Sequence, residues 1–245
     1  MHDKGAGPLW LGDLRGAFGL LTRLPLGGPG RGAAGCWAWP VAGAVVGALG
    51  AVAGWGALAL GLPAGWAAAL ALAVQAMATG GLHEDGLADT FDGLMGGRDP
   101  ARRLEIMRDS RIGSFGALAL MLVLLARWSA LVVILPIAPM ALIAAAAASR
   151  AVMPVLMAAM PSARPDGLSR MIGRPTVLQA GLAVLVALVP LAIFGPLAAL
   201  IAVPLLLLAL GRWARARIGG QTGDILGAAQ QLTEALILGF LAAPP

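Results

Sequence analysis

Charged residues are scarce in this chain. Only 12% of its 245 residues are Asp, Glu, Lys or Arg, whereas 59% are hydrophobic; an ordinary soluble domain carries about 25% charged residues. This composition predicts an all-α, polytopic integral membrane helix bundle. Because each spanning helix needs roughly 20 residues, about six or seven transmembrane spans and one substantial loop use the whole length. We therefore predict a single integral membrane domain over residues 1–245.

Cysteine and lysine are also scarce, and their scarcity argues against some classes of function. The chain has one cysteine, Cys36, which excludes an intramolecular disulfide and argues against thiol redox chemistry. Lysine occurs once, so the formal net charge of +5 comes almost entirely from arginine. In a membrane protein this excess is explained by the preference of basic residues for cytoplasmic loops. We therefore expect the lipid bilayer, and no nucleic acid, as a partner, and leave open an assembly of several copies (a homo-oligomer).

Apolar runs locate the predicted spans. These are residues 37–61, 65–80, 113–135, 140–160, two within 176–211, and 225–243. The short connectors between them carry no charge, whereas the N-terminal segment and residues 81–112, 161–175 and 212–224 are all charged. If alternate connections face opposite sides, every charged segment lies on one side, and the Lys/Arg rule makes that side the cytoplasm. We expect a multi-pass protein of the cell inner (cytoplasmic) membrane.

The N-terminal segment 8–26 has apolar residues three to four positions apart, with Asp13 and Arg15 off that stripe. The apolar positions are Trp10, Leu14, Phe18 and Leu21. Such a pattern indicates either a short amphipathic helix on the membrane surface or a first helix packed against the bundle. The sequence favours neither alternative.

Charge is concentrated in one segment, about 80–116, which we take as the active-site loop. It holds seven of the twelve acidic residues, five arginines and one of two histidines. Asp85, Asp89 and Asp92 are spaced i, i+4 and i+7, which places their carboxylates on one face of a helix. Like charges at this spacing destabilise an isolated helix, but they suit a divalent cation. Oxygen ligands favour Mg²⁺ or Mn²⁺ over zinc, so we predict a Mg²⁺ site at these three aspartates.

The arginines follow the acidic residues directly. Asp99 and Pro100 form an N-cap and first-position signal, and the helix they start is expected to run to about Gly113. Its arginines are Arg102, Arg103, Arg108 and Arg111. Arginine forks suit phosphate oxygens, so a metal site next to this helix predicts a pyrophosphate site. The alternative is a set of surface ion pairs, each contributing only about 0–1 kcal/mol.

His83 lies two residues before Asp85. It is either a hydrogen-bonded structural residue or a base beside the aspartates.

A second motif, GGQTGDILGAAQQLTE, begins at Gly219. Its glycines recur at every fourth position (Gly219, Gly223 and Gly227), a stripe that allows close helix packing in a membrane. Packing does not explain Asp224 and Glu234 at the start and middle of an apolar segment. Arg127 and Arg150 also lie near the middle of spans, where ionisable groups are costly and usually paired. We consider a pairing of Glu234 with Arg127 or Arg150.

These motifs together resemble the cobalamin synthase (adenosylcobinamide-GDP ribazoletransferase) family. The matching stretches are HEDGLADTFDG (83–93), LEIMRDSRIG (104–113), GGQTGD (219–224) with LGA (226–228), LTRLP (21–25), Ser149-Arg150 and Ala163-Arg164. The order is the same and nearly the full length is covered. The chain departs from the family pattern at two positions: Gln231 stands where a glutamate is expected, and Glu84 stands where many members have an apolar residue.

The resemblance implies the assembly of adenosylcobalamin. Ribazole or its 5′-phosphate would attack the pyrophosphate of adenosylcobinamide-GDP, release GMP and form adenosylcobalamin or its 5′-phosphate, with Mg²⁺ required. In this interpretation Asp85, Asp89 and Asp92 hold the metal. The substrate-binding residues would be Arg98, Arg108, Arg111, Arg150, Arg164 and Thr222. The catalytic residues, one of which would deprotonate the attacking hydroxyl, would be His83, Asp109 and Asp224.

Two other functions remain as alternatives. Residues 89–93 (Asp-Thr-Phe-Asp-Gly) echo the opening motif of CDP-alcohol phosphatidyltransferases, but Arg98 falls one position too late for that family and the downstream spacing differs. A small-solute transporter would use the charged residues within the spans as its pathway. It predicts inverted repeats, which the sequence does not contain, and it leaves the aspartate cluster unexplained.

Overall fold

The computed structural model describes residues 8–243, so residues 1–7 and 244–245 of the predicted domain lie outside the described part. Between these limits the chain is helical, without a β-sheet, which confirms the all-α prediction. The helices are α1 (Leu9–Leu21), α2 (Trp39–Ala59), α3 (Ala64–Thr79), α4 (Leu82–Gly96), α5 (Pro100–Ile106), α6 (Ser114–Ile137), α7 (Ala141–Ala159), α8 (Leu168–Ile172), α9 (Val177–Phe194), α10 (Ala199–Ile218) and α11 (Gly223–Ala242). A 3-10 helix, Gly32–Ala38, leads into α2.

Within residues 8–243, six helices are long and apolar enough to cross a membrane. They are Gly32–Ala59 (the 3-10 helix with α2), α6, α7, α9, α10 and α11. A bent pair, α3 with α4, raises the number to seven if it is counted as one span. This agrees with the six or seven spans predicted, and the chain forms a polytopic helix bundle.

The predicted span 65–80 is the first half of that bent pair. Helix α3 has only 16 residues, and α4 leaves it at an angle of 89°. The bend lies at Gly80 and Gly81, whose φ angles of 67° and 70° are in the left-handed region that favours glycine. The bend turns α4, with its acidic residues, across the end of the bundle. Much of the predicted loop 80–116 is therefore helix.

The three charged segments that follow the first span meet at one end of the bundle. Arg108 and Asp166 form an ion pair between residues 81–112 and 161–175. The Ala163 amide donates to the Gln221 carbonyl oxygen at 2.8 Å, which joins 161–175 to 212–224. This convergence agrees with the prediction that these segments lie on one side.

Helix α7 forms the centre of the bundle, with α2, α9 and α11 packed around it. Small residues permit the closest of these contacts. A Cβ atom on Gly47 would lie 2.6 Å from the Leu142 carbonyl oxygen of α7, so the two backbones can approach this closely only at glycine. The same reasoning applies to Gly43, which faces Ala146.

Helix α1 differs from its prediction in the position of Asp13. The carboxylate is buried and accepts hydrogen bonds from Arg31 Nε and Trp37 Nε1, both at 2.8 Å. The hydrogen bond from Arg31 lowers the pKa of Asp13, and Trp37 adds to this effect. Asp13 therefore belongs to the packed side of α1, which contacts the 3-10 helix and α2. Of the two alternatives for this segment, the packed helix is the one observed.

Helix α5 is shorter than predicted. The Asp99 side chain accepts from the Arg102 amide at 2.9 Å, which confirms the N-cap, but the helix ends at Ile106 rather than near Gly113. The reason lies at Asp109, whose Oδ1 accepts from the Arg111 amide at 3.1 Å. A side chain that bonds the backbone two residues ahead competes with helical hydrogen bonding.

The α2–α7 contact gives a stability prediction. Gly47→Ala should lower the apparent unfolding temperature of the protein in detergent, since overpacking typically costs about 1–3 kcal/mol. The matched control is Gly56→Ala on the same helix, where an added Cβ meets nothing within 4 Å among residues 8–243. That change should leave stability equal or raise it by up to about 1 kcal/mol, because alanine is the better helix former. Equal behaviour of the two variants would contradict the close contact.

Candidate active site

A cavity of about 180 Å³ lies where the N-terminal ends of α4 and α11 meet the 161–175 segment. Leu20, Trp39 and Met153 contribute apolar wall. The polar lining residues are His83, Asp85, Arg164, Asp166, Ser169, Thr222 and Asp224. Five of these belong to the predicted site.

Two glycines bring α4 and α11 together beside the cavity. A Cβ on Gly86 would lie 3.2 Å from Gly227 Cα and 3.1 Å from the Asp224 carbonyl oxygen. This close approach places Asp85 and Asp224 on the same cavity. Of the predicted glycine stripe only Gly227 makes such a contact. An added Cβ would meet nothing within 4 Å in the described chain at Gly219 or Gly223.

Two of the three predicted metal ligands lie together, and the third has another contact. Asp85 and Asp89 lie one turn apart on α4 and interact electrostatically with each other and with Asp224. Asp92 is buried, and its two oxygens accept from the amides of Gly113 (2.7 Å) and Gly116 (2.9 Å). It thereby satisfies orphan N–H groups at the start of α6. Within residues 8–243, no group of three or more His, Cys, Asp or Glu side chains is positioned to hold a metal ion.

Of the predicted arginines, Arg164 lines the cavity, and Arg108 contacts a lining residue. Arg164 Nη2 lies 3.3 Å from Asp224 Oδ2 and donates to the Leu104 carbonyl oxygen at 3.2 Å. Arg108 pairs with Asp166, which lines the cavity mouth. Both guanidinium groups are held by acidic partners at a position where an anionic ligand could replace those partners.

The pair Asp109 and Arg111 is exposed to solvent beyond α5. Arg111 Nη2 donates to Asp109 Oδ2 at 2.6 Å, and Arg111 Nε donates to Asp109 Oδ1 at 3.0 Å. These hydrogen bonds lower the pKa of Asp109 to about 2. A carboxylate with so low a pKa is a weak base at neutral pH. Arg98 is also exposed, and it borders neither the cavity nor this pair.

His83 and Thr222 border the cavity in different ways. His83 is only 1% exposed, and both ring nitrogens lack a hydrogen-bond partner within residues 8–243. No protein hydrogen bond within residues 8–243 therefore supports its interpretation as a hydrogen-bonded structural residue. The Thr222 hydroxyl accepts from the Ile225 amide as the N-cap of α11 and donates to Asp224 Oδ2 at 3.1 Å. Thr222 thus orients the Asp224 carboxylate.

Arg150, predicted to bind substrate, lies away from the cavity in the interior of the bundle. Its guanidinium pairs with Glu234, a fully buried carboxylate that also accepts from Arg127 Nη2 at 2.7 Å. Ser149 Oγ (3.0 Å), Gln230 Nε2 (2.6 Å) and Gln75 Nε2 (3.3 Å) also donate to Glu234. The pairing considered from the sequence is thus present with both arginines.

The two positions that depart from the family pattern contact each other. Gln231 Nε2 donates to Glu84 Oε1 at 2.9 Å, while Gln231 Oε1 accepts from Arg127 Nη1 at 2.6 Å. Glu84 Oε1 lies 3.7 Å from the same Arg127 nitrogen. In this chain Gln231 lacks the carboxylate that the family pattern has at this position, and Glu84 supplies a carboxylate next to Arg127 instead. The two residues are 147 positions apart, so the sequence alone did not connect them.

Two cavity residues, Asp166 and Ser169, were not predicted as site residues. Both come from the 161–175 segment. The sequence indicates them only indirectly, because segment 161–175 is charged and is predicted to lie on the same side of the membrane as residues 81–112. The contact between these segments includes the Arg108–Asp166 pair and the Arg164 hydrogen bond to the Leu104 carbonyl oxygen, and no local sequence pattern predicts either of them.

The buried network generates a second stability prediction. Glu234→Gln removes the counter-charge of the buried Arg150 guanidinium and the nearer of the two carboxylates beside Arg127, so it should destabilise the protein by about 3–5 kcal/mol. Thermal unfolding in detergent measures this effect. Glu105→Gln is the control, because the Glu105–Arg102 pair is exposed and such pairs contribute about 0–1 kcal/mol. Equal unfolding temperatures for the two variants would contradict the role given to Glu234.

Known proteins resemble this chain over nearly its full length. The family described as cobalamin-5-phosphate synthase matches residues 13–242. A protein of Bradyrhizobium diazoefficiens named adenosylcobinamide-GDP ribazoletransferase is 48% identical over 239 residues, covering 93% of this chain and 92% of the relative. Proteins with the same name from Mesorhizobium japonicum (46% identical, 93% and 92% covered) and a Sinorhizobium species (40%, 94% and 95%) are similar over the same extent. No solved structure matches significantly. The chain belongs to the cobalamin-5-phosphate synthase family.

Proposed function

We propose that this chain is a membrane-embedded, Mg²⁺-dependent adenosylcobinamide-GDP ribazoletransferase. It would join ribazole or ribazole 5′-phosphate to adenosylcobinamide-GDP, release GMP and form adenosylcobalamin or its 5′-phosphate. The observation that carries the proposal is the family match over residues 13–242, together with the cavity in which Asp85, Arg164 and Asp224 meet. The relatives named above bear the ribazoletransferase name, so neither a CDP-alcohol phosphatidyltransferase nor a transporter is favoured.

The residues at the cavity fit a magnesium ion. Mg²⁺ commonly takes one or two carboxylates and completes its octahedral shell with water and substrate phosphates. Asp85 and Asp89, one turn apart and partly accessible, provide this donor set. Asp92 supports the site by holding α4 against the start of α6 through Gly113 and Gly116, and we now propose it as a positioning residue. When bound, the ion would neutralise pyrophosphate charge.

The reaction needs one base at the cavity. A ribose hydroxyl of the ribazole forms a bond from oxygen to the phosphorus next to the cobinamide, the bond from that phosphorus to the GMP oxygen breaks, and the hydroxyl proton passes to the base. Asp224 is the preferred base, since Thr222 orients its carboxylate at the cavity. His83 is the second candidate because its ring nitrogens have no protein partner in the described chain. The low pKa of Asp109 disfavours it.

The predicted substrate-binding arginines would have different roles, according to where they lie relative to the cavity. Arg164 and Arg108 would exchange Asp224 and Asp166 for phosphate oxygens, since guanidinium groups bind phosphate in the same forked geometry as carboxylate. Arg98 and Arg111 lie on the exposed surface and would contribute mainly long-range attraction for an anionic substrate. Arg150 would act indirectly, by fixing α7 to α11 through Glu234.

We also propose the cell inner membrane as the location, with the cavity facing the cytoplasm. Support comes from the charged segments, which meet at the cavity end of the bundle and carry most of the arginines. Basic residues prefer the cytoplasmic side.

Asp89→Asn tests the metal assignment. Purified protein in liposomes is given adenosylcobinamide-GDP, ribazole 5′-phosphate and Mg²⁺, and GMP release is followed over time. The variant should lose on the order of 10²-fold or more in kcat and require more Mg²⁺, as losses at catalytic metal sites do. Asp99→Asn is the control, since asparagine caps a helix as well as aspartate. Normal turnover and Mg²⁺ dependence of Asp89→Asn would contradict the assignment.

A separate pair of variants tests the base. In single-turnover experiments Asp224→Asn should slow GMP release by about 10²–10⁴-fold, the usual contribution of general-base catalysis. Asp109→Asn, which changes a carboxylate already neutralised by Arg111, should cost no more than about tenfold. The reverse order of effects would assign the base to Asp109. Equal and small effects would leave His83, tested by His83→Gln, as the base.

A further inference from the structure

A second cavity of about 180 Å³ lies beside the candidate active site and is not used by the proposed mechanism. Ser169 borders both cavities. Met157 and Met160 are buried and line the new cavity, and Arg170 and Gln221 add polar groups to its lining. Ligand sites for whole drug-sized molecules usually measure about 300–1,000 Å³. This cavity therefore suits one ring system of a larger ligand.

The backbone of Gln221 is fixed in place. Its amide donates to the Pro161 carbonyl oxygen at 2.9 Å, and its carbonyl oxygen accepts from the Ala163 amide at 2.8 Å. A side chain on Gly220 would overlap the Pro161 carbonyl oxygen, so the chain can pass here only as glycine. Residue 221 thus presents its side chain from a rigid link between the 161–175 segment and the start of α11.

The Gln221 side chain has an unused hydrogen-bond acceptor. Gln221 is 3% exposed, and its Oε1 atom has no hydrogen-bond partner within residues 8–243. Buried polar atoms are nearly always bonded, and an unpaired one is costly. Gln221 lines the cavity, and its Oε1 lacks a protein partner in the described chain, so a ligand with an N–H or O–H donor could supply the missing hydrogen bond.

The hydrogen-bonding groups that line the cavity fit guanine better than they fit a phosphate. A phosphate presents mainly acceptors and would leave Oε1 unpaired. Guanine carries an amino group beside a ring N–H on one edge, and O6 and N7 acceptors that arginine commonly contacts on the other. Its flat apolar faces suit the polarisable sulfur atoms of Met157 and Met160. Gln221 could accept from the first edge while Arg170 donates to the second.

We propose that this cavity is a guanine subsite, with Gln221 as its specificity-determining residue. The inference rests on the proposed function, since GDP is the activated part of the substrate. The pyrophosphate would lie in the first cavity and the guanine in the second, with Ser169 between them. Discrimination between nucleotides would then come from Oε1, which only a base with correctly placed N–H groups can satisfy.

Binding of free nucleotides to the full chain in nanodiscs tests the subsite. GMP, IMP and AMP are titrated by calorimetry in the presence of Mg²⁺. The protein should prefer GMP over AMP by on the order of 10- to 100-fold, the effect of leaving a buried acceptor unpaired. IMP keeps the ring N–H but lacks the amino group, so it should bind with intermediate affinity.

Three variants complete the test. Gln221→Met keeps the side-chain length but removes the acceptor, and it should bring GMP affinity down to that of AMP. Gln221→Glu keeps acceptors at this position and should retain the GMP preference. Gln179→Met, at the start of α9, makes the same chemical change at a residue outside the cavity lining. It should leave nucleotide affinity unchanged, and the loss of its hydrogen bond from the Thr176 amide should affect only the stability of the helix start. Unfolding temperatures confirm that each variant is folded.

The outcomes separate this inference from the proposed function. If the unsubstituted chain releases GMP in the turnover assay but Gln221→Met keeps the GMP preference, the guanine subsite is wrong and the function stands. A preference for AMP would assign the cavity to an adenine group and would also overturn the proposal. If the unsubstituted chain catalyses no GMP release, the proposed function itself fails.

Discussion

The bundle depends on one buried carboxylate shared by two arginines. Glu234 of α11 binds Arg127 of α6 and Arg150 of α7, and Gln75 of α3 donates to it at 3.3 Å. A charge near the middle of a membrane helix costs about 2.5–3.5 kcal/mol on insertion scales, so none of these groups is favourable alone. Together they are satisfied only when four helices keep one arrangement. Because α11 carries Asp224 in its first turn, the network also fixes one wall of the cavity.

Helix α4 is positioned by separate means. The glycine turn after α3 sets its direction, the Gly86–Gly227 contact sets its distance from α11, and Asp92 ties it to the start of α6. The three aspartates that look equivalent in the sequence therefore have different neighbours. Residues i and i+7 are about 10 Å apart along a helix, far enough for Asp92 to reach a different helix while Asp85 remains at the cavity.

The features that follow from local pattern could be predicted from the sequence. Apolar runs located the spans, the Asp99–Pro100 signal located the start of α5, and charge density located the cavity end of the bundle. What could not be predicted depends on contacts between distant residues. The burial of Asp13 needs Arg31 and Trp37, and the pairing of Glu84 with Gln231 joins two helices. No periodicity within one helix contains that information.

The two acidic groups in this protein have different charge balances. In the interior, Glu234 and Glu84 are balanced by Arg127 and Arg150. At the cavity, the lining carboxylates Asp85, Asp166 and Asp224 outnumber the lining arginine, Arg164, so carboxylates are in excess. A pyrophosphate entering such a site would be repelled unless a cation came with it, because like charges at close range are unfavourable. Under the proposed function the divalent ion is thus an electrostatic requirement, and the arginine–carboxylate pairs are the contacts that substrate phosphates would replace.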